Sequence, residues 1–306
     1  MVRGMEELTY KINKKPLPAN RVFNLTVNIL LIFIVVIVVY PLYFVLIASV
    51  SDPAATNTGR VIFLPVKIGF EAYKRIFSDK DIWTGYYNTI LYTLGGTVFG
   101  LFSTITAGYS LSRKDLPGRG LIAGLMVFTM YFSGGLIPTY MVIKAIGLVN
   151  TRTVLMIYGC FSVYNLIICK TYFEQNIPDE LFEAASIDGC GNGLFFLRIV
   201  IPVSKAIVSV MVLYYAVAQW NGFFRALIYV KDQALYPLQL ILRDILIGSQ
   251  LVIAEGTDLE SVIEIQRMAE TIKYGVIVVS SLPMMVIYLL LQKFIEKGIM
   301  LGAVKG

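Results

Sequence analysis

The residues best suited to chemistry cluster between Glu183 and Ala206, in the stretch EAASIDGCGNGLFFLRIVIPVSKA. It opens on a carboxylate, holds Gly189, Gly191 and Gly193 within five residues, and reaches Pro202 near its end. The chemistry on offer is recognition: Glu183 can meet an arginine or a backbone N–H in a charge-assisted hydrogen bond. Just upstream, Pro178 suits the first turn of a helix, and Asp179 and Glu180 follow where the positive helix end favours acids. Leu181, Ala184, Ala185 and Asp188 then recur at i, i+3, i+4 and i+7, so they share one helical face. Two alanines on that face leave room for another surface. The glycines permit a sharp reversal. LFFLRIVI resumes as a second short helix, closed by Pro202 before the next apolar run. The expected product is a compact helix–turn–helix, either filling a socket in a partner or capping its own bundle.

Catalytic and cofactor chemistry is missing. There is no G-x-x-x-x-G-K-[ST] to cradle ATP, no H-E-x-x-H, no G-x-S-x-G, and no paired carboxylates within an apolar run. The chain has no histidine, which removes the usual general base and the commonest metal ligand. Its three cysteines, Cys160, Cys169 and Cys190, form neither a disulfide framework nor a C-x-x-C zinc pattern. An intramembrane enzyme therefore has no support, and neither a metal nor a cofactor is expected in this chain.

The elements that position the cluster are apolar. The chain of 306 residues is 57% hydrophobic and 15% charged, against about 25% charged in soluble domains. About 20 helical residues cross the hydrocarbon core, and six segments approach that: Leu25–Val50, Asn88–Leu111, Leu121–Ile143 (interrupted by Gly134, Gly135 and Pro138), Val154–Phe173, Ala206–Val230 and Tyr274–Phe294. The expectation is an all-α integral membrane bundle of six transmembrane helices. Residues 1–24 form a tail, 25–296 the transmembrane domain with its loop at 178–205, and 297–306 a second tail. The first apolar stretch is too long for a signal-peptide core and has no small-residue cleavage site, so it reads as an uncleaved span.

Six spans place both termini on one side. That side also holds the turn SRKDLPGRG and the Glu183 loop, and it carries more lysine and arginine than the other, so it reads as cytoplasmic. The net charge of +6 is explained by such loops and not by nucleic-acid binding. On the other side, FEAYKRIFSD puts Phe70, Tyr73, Ile76 and Phe77 on one helical face suited to the membrane surface. VIEIQRMAETIKYG reads as a helical lead into the last span.

Within the predicted spans, Arg225 is the clearest ionisable residue, near an outer end where its expected place is the interface. Few ion-coupling groups argue against a secondary carrier or a proton pump. Such spans suit a pore for a neutral or polar solute, driven by energy supplied elsewhere. Tyr164, Asn165, Tyr214, Tyr215, Gln219, Trp220 and Asn221 supply the rings and amides that bind sugars, although aromatics at helical spacing also serve packing and interface belts. Gly96-x-x-x-Gly100 and Gly120-x-x-x-Gly124 allow close helix approach, either inside this chain or against another subunit.

The spacing E-A-A, three residues, Gly, nine residues, Ile, one residue, an aliphatic residue, Pro resembles the coupling loop of permease subunits of ATP-binding-cassette importers. The matching positions are Glu183, Ala184, Ala185, Gly189, Ile199 and Pro202, with Ile201 where the family usually has Leu. NTILYTLGGT, YSLSRKDLPGR, FSGGLIPTYMVIKAIGLVNT, QWNGFFRALIYV, LYPLQLILRD and KGIMLGAVKG extend the resemblance over nearly the whole chain, toward carbohydrate-uptake permeases of the maltose type. The last three are similar to the branch that imports complex oligosaccharides and polysaccharide fragments. The resemblance implies a multi-pass subunit of a bacterial cell membrane with both termini cytoplasmic. It implies pairing with a homologous second permease, above two ATPase subunits that carry the ATP and Mg. An extracellular or periplasmic solute-binding protein would deliver the carbohydrate, and the Glu183–Pro202 loop, Asp188 included, would fill a cleft in one ATPase. An importer of the same architecture for a non-sugar solute, or a stand-alone carrier, is the alternative expectation.

Overall fold

The computed structural model describes residues 18–251 and 272–293. The expected head segment before residue 18, the lead-in VIEIQRMAET, Phe294 at the end of the last predicted span, and the tail KGIMLGAVKG lie outside the described residues. The described chain forms two compact units, divided between Gly69 and Phe70, and every regular element in it is helical.

In the first unit, α1 (Pro18–Ser49) is exposed along its apolar window. Its Val- and Ile-rich sequence is a poor helix former in water. In lipid, every backbone group must be paired internally, which makes the helix the available solution. The short α2 (Pro53–Asn57) begins with Pro53 at its first position, and the Asp52 carboxylate accepts from the Ala54 N–H at 3.2 Å. Ile47, Ala55 and Val61 form a small core with Phe44 and Val66.

The second unit is organised around α4 (Lys80–Ser112). Its 33 residues span about 50 Å at 1.5 Å per residue, well beyond the ~30 Å hydrocarbon core. Asp79 caps it, accepting from the Asp81 N–H at 2.8 Å. α4 buries a polar, small-residue face: Asn88, Thr89, Thr93, Gly96, Thr97, Gly100, Thr104 and Gly108. The N-terminal part of that face carries a loop. Asn88 donates to the carbonyls of Ala234 and Tyr236 at 2.8 and 3.1 Å, the Tyr92 hydroxyl donates to Leu235 O at 2.9 Å, and Thr89 Oγ1 accepts from the Leu238 N–H at 2.8 Å. These side chains supply partners to loop backbone that is partly buried against α4.

The predicted spans are more broken than the sequence reading expected. Leu121–Ile143 is a bent pair, α5 (Arg119–Tyr131) and α6 (Leu136–Ala145), at 114° to each other, with Gly135 at φ +82° in the break. Val154–Phe173 is divided into α7 (Arg152–Ile157) and α8 (Val163–Asn176). Gly159 ends the first piece at φ +74°, and the Ser162 hydroxyl restarts the helix by accepting from the Asn165 N–H. After α9 (Asp179–Ile187) and α10 (Asn192–Val203) comes α11 (Lys205–Trp220), inclined 82° to α10. It stops at Trp220, so the Ala206–Val230 segment finishes in the short α12 (Phe224–Tyr229). α13 (Leu238–Leu251) and α14 (Ile272–Lys293) complete the described chain. Among the described residues α1, α4 and α14 are each long and apolar enough to cross a membrane, and two bent pairs bring the number to as many as five. The fold is thus an all-helical membrane bundle.

FEAYKRIFSD also departs from expectation. Its helix, α3 (Glu71–Ser78), is docked and does not simply lie on the surface: Ala72 and Ile76 are buried. A Cβ on Gly275 of α14 would stand 2.9 Å from Ile76 Cδ1. Phe70 and Phe77 remain exposed.

Candidate functional site

The Glu183 stretch forms the expected helix–turn–helix from α9 and α10. Asp179 and Glu180 occupy the first turn of α9. The helix ends in a Schellman arrangement: Cys190 N–H bonds Ala185 O at 2.9 Å, and Gly189 N–H bonds Ser186 O at 3.0 Å. Gly189 has φ +77°, with nothing near the position a Cβ would take. Conformation, not space, thus selects glycine there. Gly191 and Gly193 have ordinary negative φ and open surroundings. α10 resumes through a π-helical turn, Phe196–Val200, in which Ile201 N–H reaches back to Phe196 O. Pro202 lacks an N–H and its ring crowds the carbonyl four residues back, and the widened turn relieves that crowding.

The two alanines diverge. Ala185 is buried in the core formed by Ile105, Tyr109, Phe173, Phe195 and Val200, while Ala184 is exposed. Glu183, Asp188, Gly189 and Pro202 are exposed as well, and Ile199 packs partly buried against the same core. Ile187, at 87% exposure, and Leu197, at 62%, present apolar side chains outward. Glu183 has no ion-pair partner among the described residues, whereas its neighbours do. Lys114 Nζ lies 2.7 Å from Asp179, and Glu174 is 2.8 Å from Lys170 and 3.9 Å from Arg119. The Lys114 ammonium holds the Asp179 carboxyl below the usual carboxylate range. Lys114, Arg119, Glu174 and Asp179 rim a cavity of about 320 Å³ at the C-terminal end of α4, lined also by Tyr109, Arg113, Phe173 and Pro178.

In the sequence Arg113 stands out only as one basic residue of the turn SRKDLPGRG. Its guanidinium, 17% exposed, makes two hydrogen bonds to Asp115, at 3.0 and 3.1 Å, and lies 3.9 Å from the centre of the Phe182 ring of α9. That pairing raises the Arg113 pKa and lowers that of Asp115. The cluster of basic residues was visible in SRKDLP. Its aromatic partner sits 69 residues later, and no local signal joins the two.

The residues suggested for sugar contact separate by burial. Tyr215 is buried, its hydroxyl paired with Thr104 Oγ1 and accepting from the Ser162 N–H at 3.4 Å. Gln219 is buried in the notch at Gly96. Trp220 is buried and donates its indole N–H to Ser280 O at 2.9 Å. Asn165 is buried in the first turn of α8. Tyr164, Tyr214 and Asn221 are exposed. Arg225 does not reach for the interface. It turns inward, donating to Tyr158 O, freed at the break in the fourth segment, and to Gln219 Oε1.

No protein-family model matches the chain. It is 37% identical to Protein LplC of Bacillus subtilis over 288 residues, 94% of this chain and 96% of that one. It is also 37% identical to the polygalacturonan/rhamnogalacturonan transport system permease protein YtcP of Bacillus subtilis, over 94% of this chain and 99% of that one. Among solved structures, a bacterial ABC transporter involved in the import of the acidic polysaccharide alginate superposes with a TM-score of 0.80 at 30% identity. The match covers 90% of this chain and 98% of that one. Identity at this level over nearly the full length of each relative, on an all-helical membrane bundle, shows that the chain belongs to the permease subunits of ABC sugar transporters, a transport component and not an enzyme.

Proposed function

We propose that the chain moves oligosaccharides or polysaccharide fragments inward, as one of two homologous permeases, and that α9–α10 is the element through which a separate ATPase drives it. The observation that carries this reading is the outward face of the element. Glu183, an exposed carboxylate with no ion pair among the described residues, lies one turn before exposed Ile187 on α9, whose end is closed by the Gly189 cap, and α10 exposes Leu197. Uncovered charge and uncovered apolar surface together suit a partner socket. In this reading six spans keep both termini cytoplasmic, and the partners are the second permease, the ATPase pair with its ATP and Mg, and a solute-binding protein. The named relatives handle alginate and polygalacturonan or rhamnogalacturonan, so acidic oligosaccharides are the first substrates to offer.

The test is ATP hydrolysis by the reconstituted transporter, with and without binding protein loaded with oligogalacturonide. Stimulation is expected in the native complex. Glu183→Gln should lower it about tenfold or more, as a charge-assisted hydrogen bond is worth about 1.5–3 kcal/mol. Full stimulation in that variant would remove Glu183 from the coupling role.

A further inference from the structure

We propose that Arg113 and Phe182, with Tyr109 and Phe196, form a clamp that makes the coupling element and α4 one rigid body. This rests on the coupling role proposed for α9–α10, and it names where the motion enters the membrane bundle.

The geometry is specific. Arg113 follows the last residue of α4, and Asp115 fixes its guanidinium from two points. The plane so fixed stands 3.9 Å from the Phe182 ring. Phe182 meets Phe195 edge-on, 5.2 Å between ring centres at 82°, and Phe195 is fully buried. Four residues before Arg113, Tyr109 stacks on Phe196 of α10 at 5.0 Å and meets Phe173 of α8 edge-on at 5.9 Å. One turn of α4 thus grips both helices of the element and the end of α8. Close-packed interiors shift between discrete arrangements and do not deform smoothly. A push on α9 is therefore delivered to α4 without being absorbed in the loop. Cβ positions on Gly96, Gly100 and Gly108 would overlap Gln219, Cys160 O and Cys169, so α4 is in turn seated directly on α11 and on the α7–α8 segment. The push then spreads across the bundle. Arg113 is a positioning residue in this scheme; neither ATP nor sugar touches it.

Spin labels at Thr84, on the far end of α4, and Ser186, on α9, both exposed, test the clamp in the whole transporter. The Thr84–Ser186 distance is expected to be the same in the nucleotide-free and the ATP–vanadate-trapped complex. With Phe182→Leu, which keeps apolar volume but removes the ring, or with Arg113→Lys, which loses the two-point contact, trapping should shift or broaden the distance. Transport per ATP should then fall about tenfold. Phe182→Tyr, which keeps the ring, should restore both readouts even if Arg113→Ala fails to assemble. A distance that changes on trapping in the native protein, or Phe182→Leu behaving as native, overturns the clamp. Full ATPase stimulation in a Glu183→Gln, Gly189→Val double variant would instead overturn the coupling role itself, so the two failures are distinguishable.

Discussion

Gly189 and Glu183 contribute differently to the proposed coupling element. Glu183 presents an exposed carboxylate, whereas Gly189 supplies only a backbone conformation. At φ +77° with open space around it, the position excludes residues by torsion and not by collision. A left-handed conformation costs an L-residue about 1–2 kcal/mol and is worst for β-branched side chains, while Asn visits it readily. Gly189→Asn should therefore keep stimulated ATPase activity near native, and Gly189→Val should reduce it several-fold although both proteins insert. Equal activity in Asn and Val variants would show that the Schellman turn is dispensable. Tyr215, Gln219 and Trp220, three of the groups suggested for sugar contact, are buried in this chain, Tyr215 against Thr104, Gln219 at Gly96 and Trp220 on Ser280 O.

At the scale of elements, two glycine pairs with the same spacing have opposite surroundings. A Cβ at Gly96 would overlap the Gln219 side chain, and one at Gly100 would overlap the Cys160 carbonyl. At Gly120 and Gly124 nothing lies within 4 Å, and α5 has no buried residue. Close approach inside the chain thus uses the first pair. Gly100→Leu should lower the thermal stability of the chain in detergent, since a side chain driven into backbone cannot be relieved by rotamer change. Overpacking of this kind costs about 1–3 kcal/mol or more. Gly120→Leu should leave the same midpoint unchanged. A lowered midpoint for Gly120→Leu would mean that α5 packs inside the chain after all. The broken fourth segment shows how irregular backbone is tolerated within the bundle: Arg225 and the Tyr215 hydroxyl supply partners to Tyr158 O and Ser162 N.

For the whole molecule, the prediction concerns what stimulates transport. Relatives that handle acidic polysaccharides share the architecture almost end to end. In proteoliposomes containing the complete transporter and its binding protein, oligogalacturonides or alginate fragments should raise ATP hydrolysis several-fold. Neutral maltotriose should leave the basal rate unchanged. Stimulation by maltotriose alone would place the substrate among neutral sugars.

Some of this was legible along the chain. The long apolar runs require helices, because lipid offers backbone groups no other partner. The Pro178–Pro202 pattern specifies a helix, a glycine turn and a second helix, because helix starts and stops are local chemistry acting over a few residues. The same locality made Gly134, Gly135 and Pro138 readable as an interruption, though not as a 114° bend. Other features depend on residues that meet only when the chain folds. Burial of Ala185 but not Ala184, the choice of the Gly96–Gly100 pair over Gly120–Gly124, the inward turn of Arg225 and the stacking of Arg113 on Phe182 all rest on neighbours far away in sequence. Periodicity tells which residues share a face. Only the packed partner decides which part of that face is covered, and here that decision separates exposed Ala184 from buried Ala185 and leaves Glu183 on the face proposed for an ATPase.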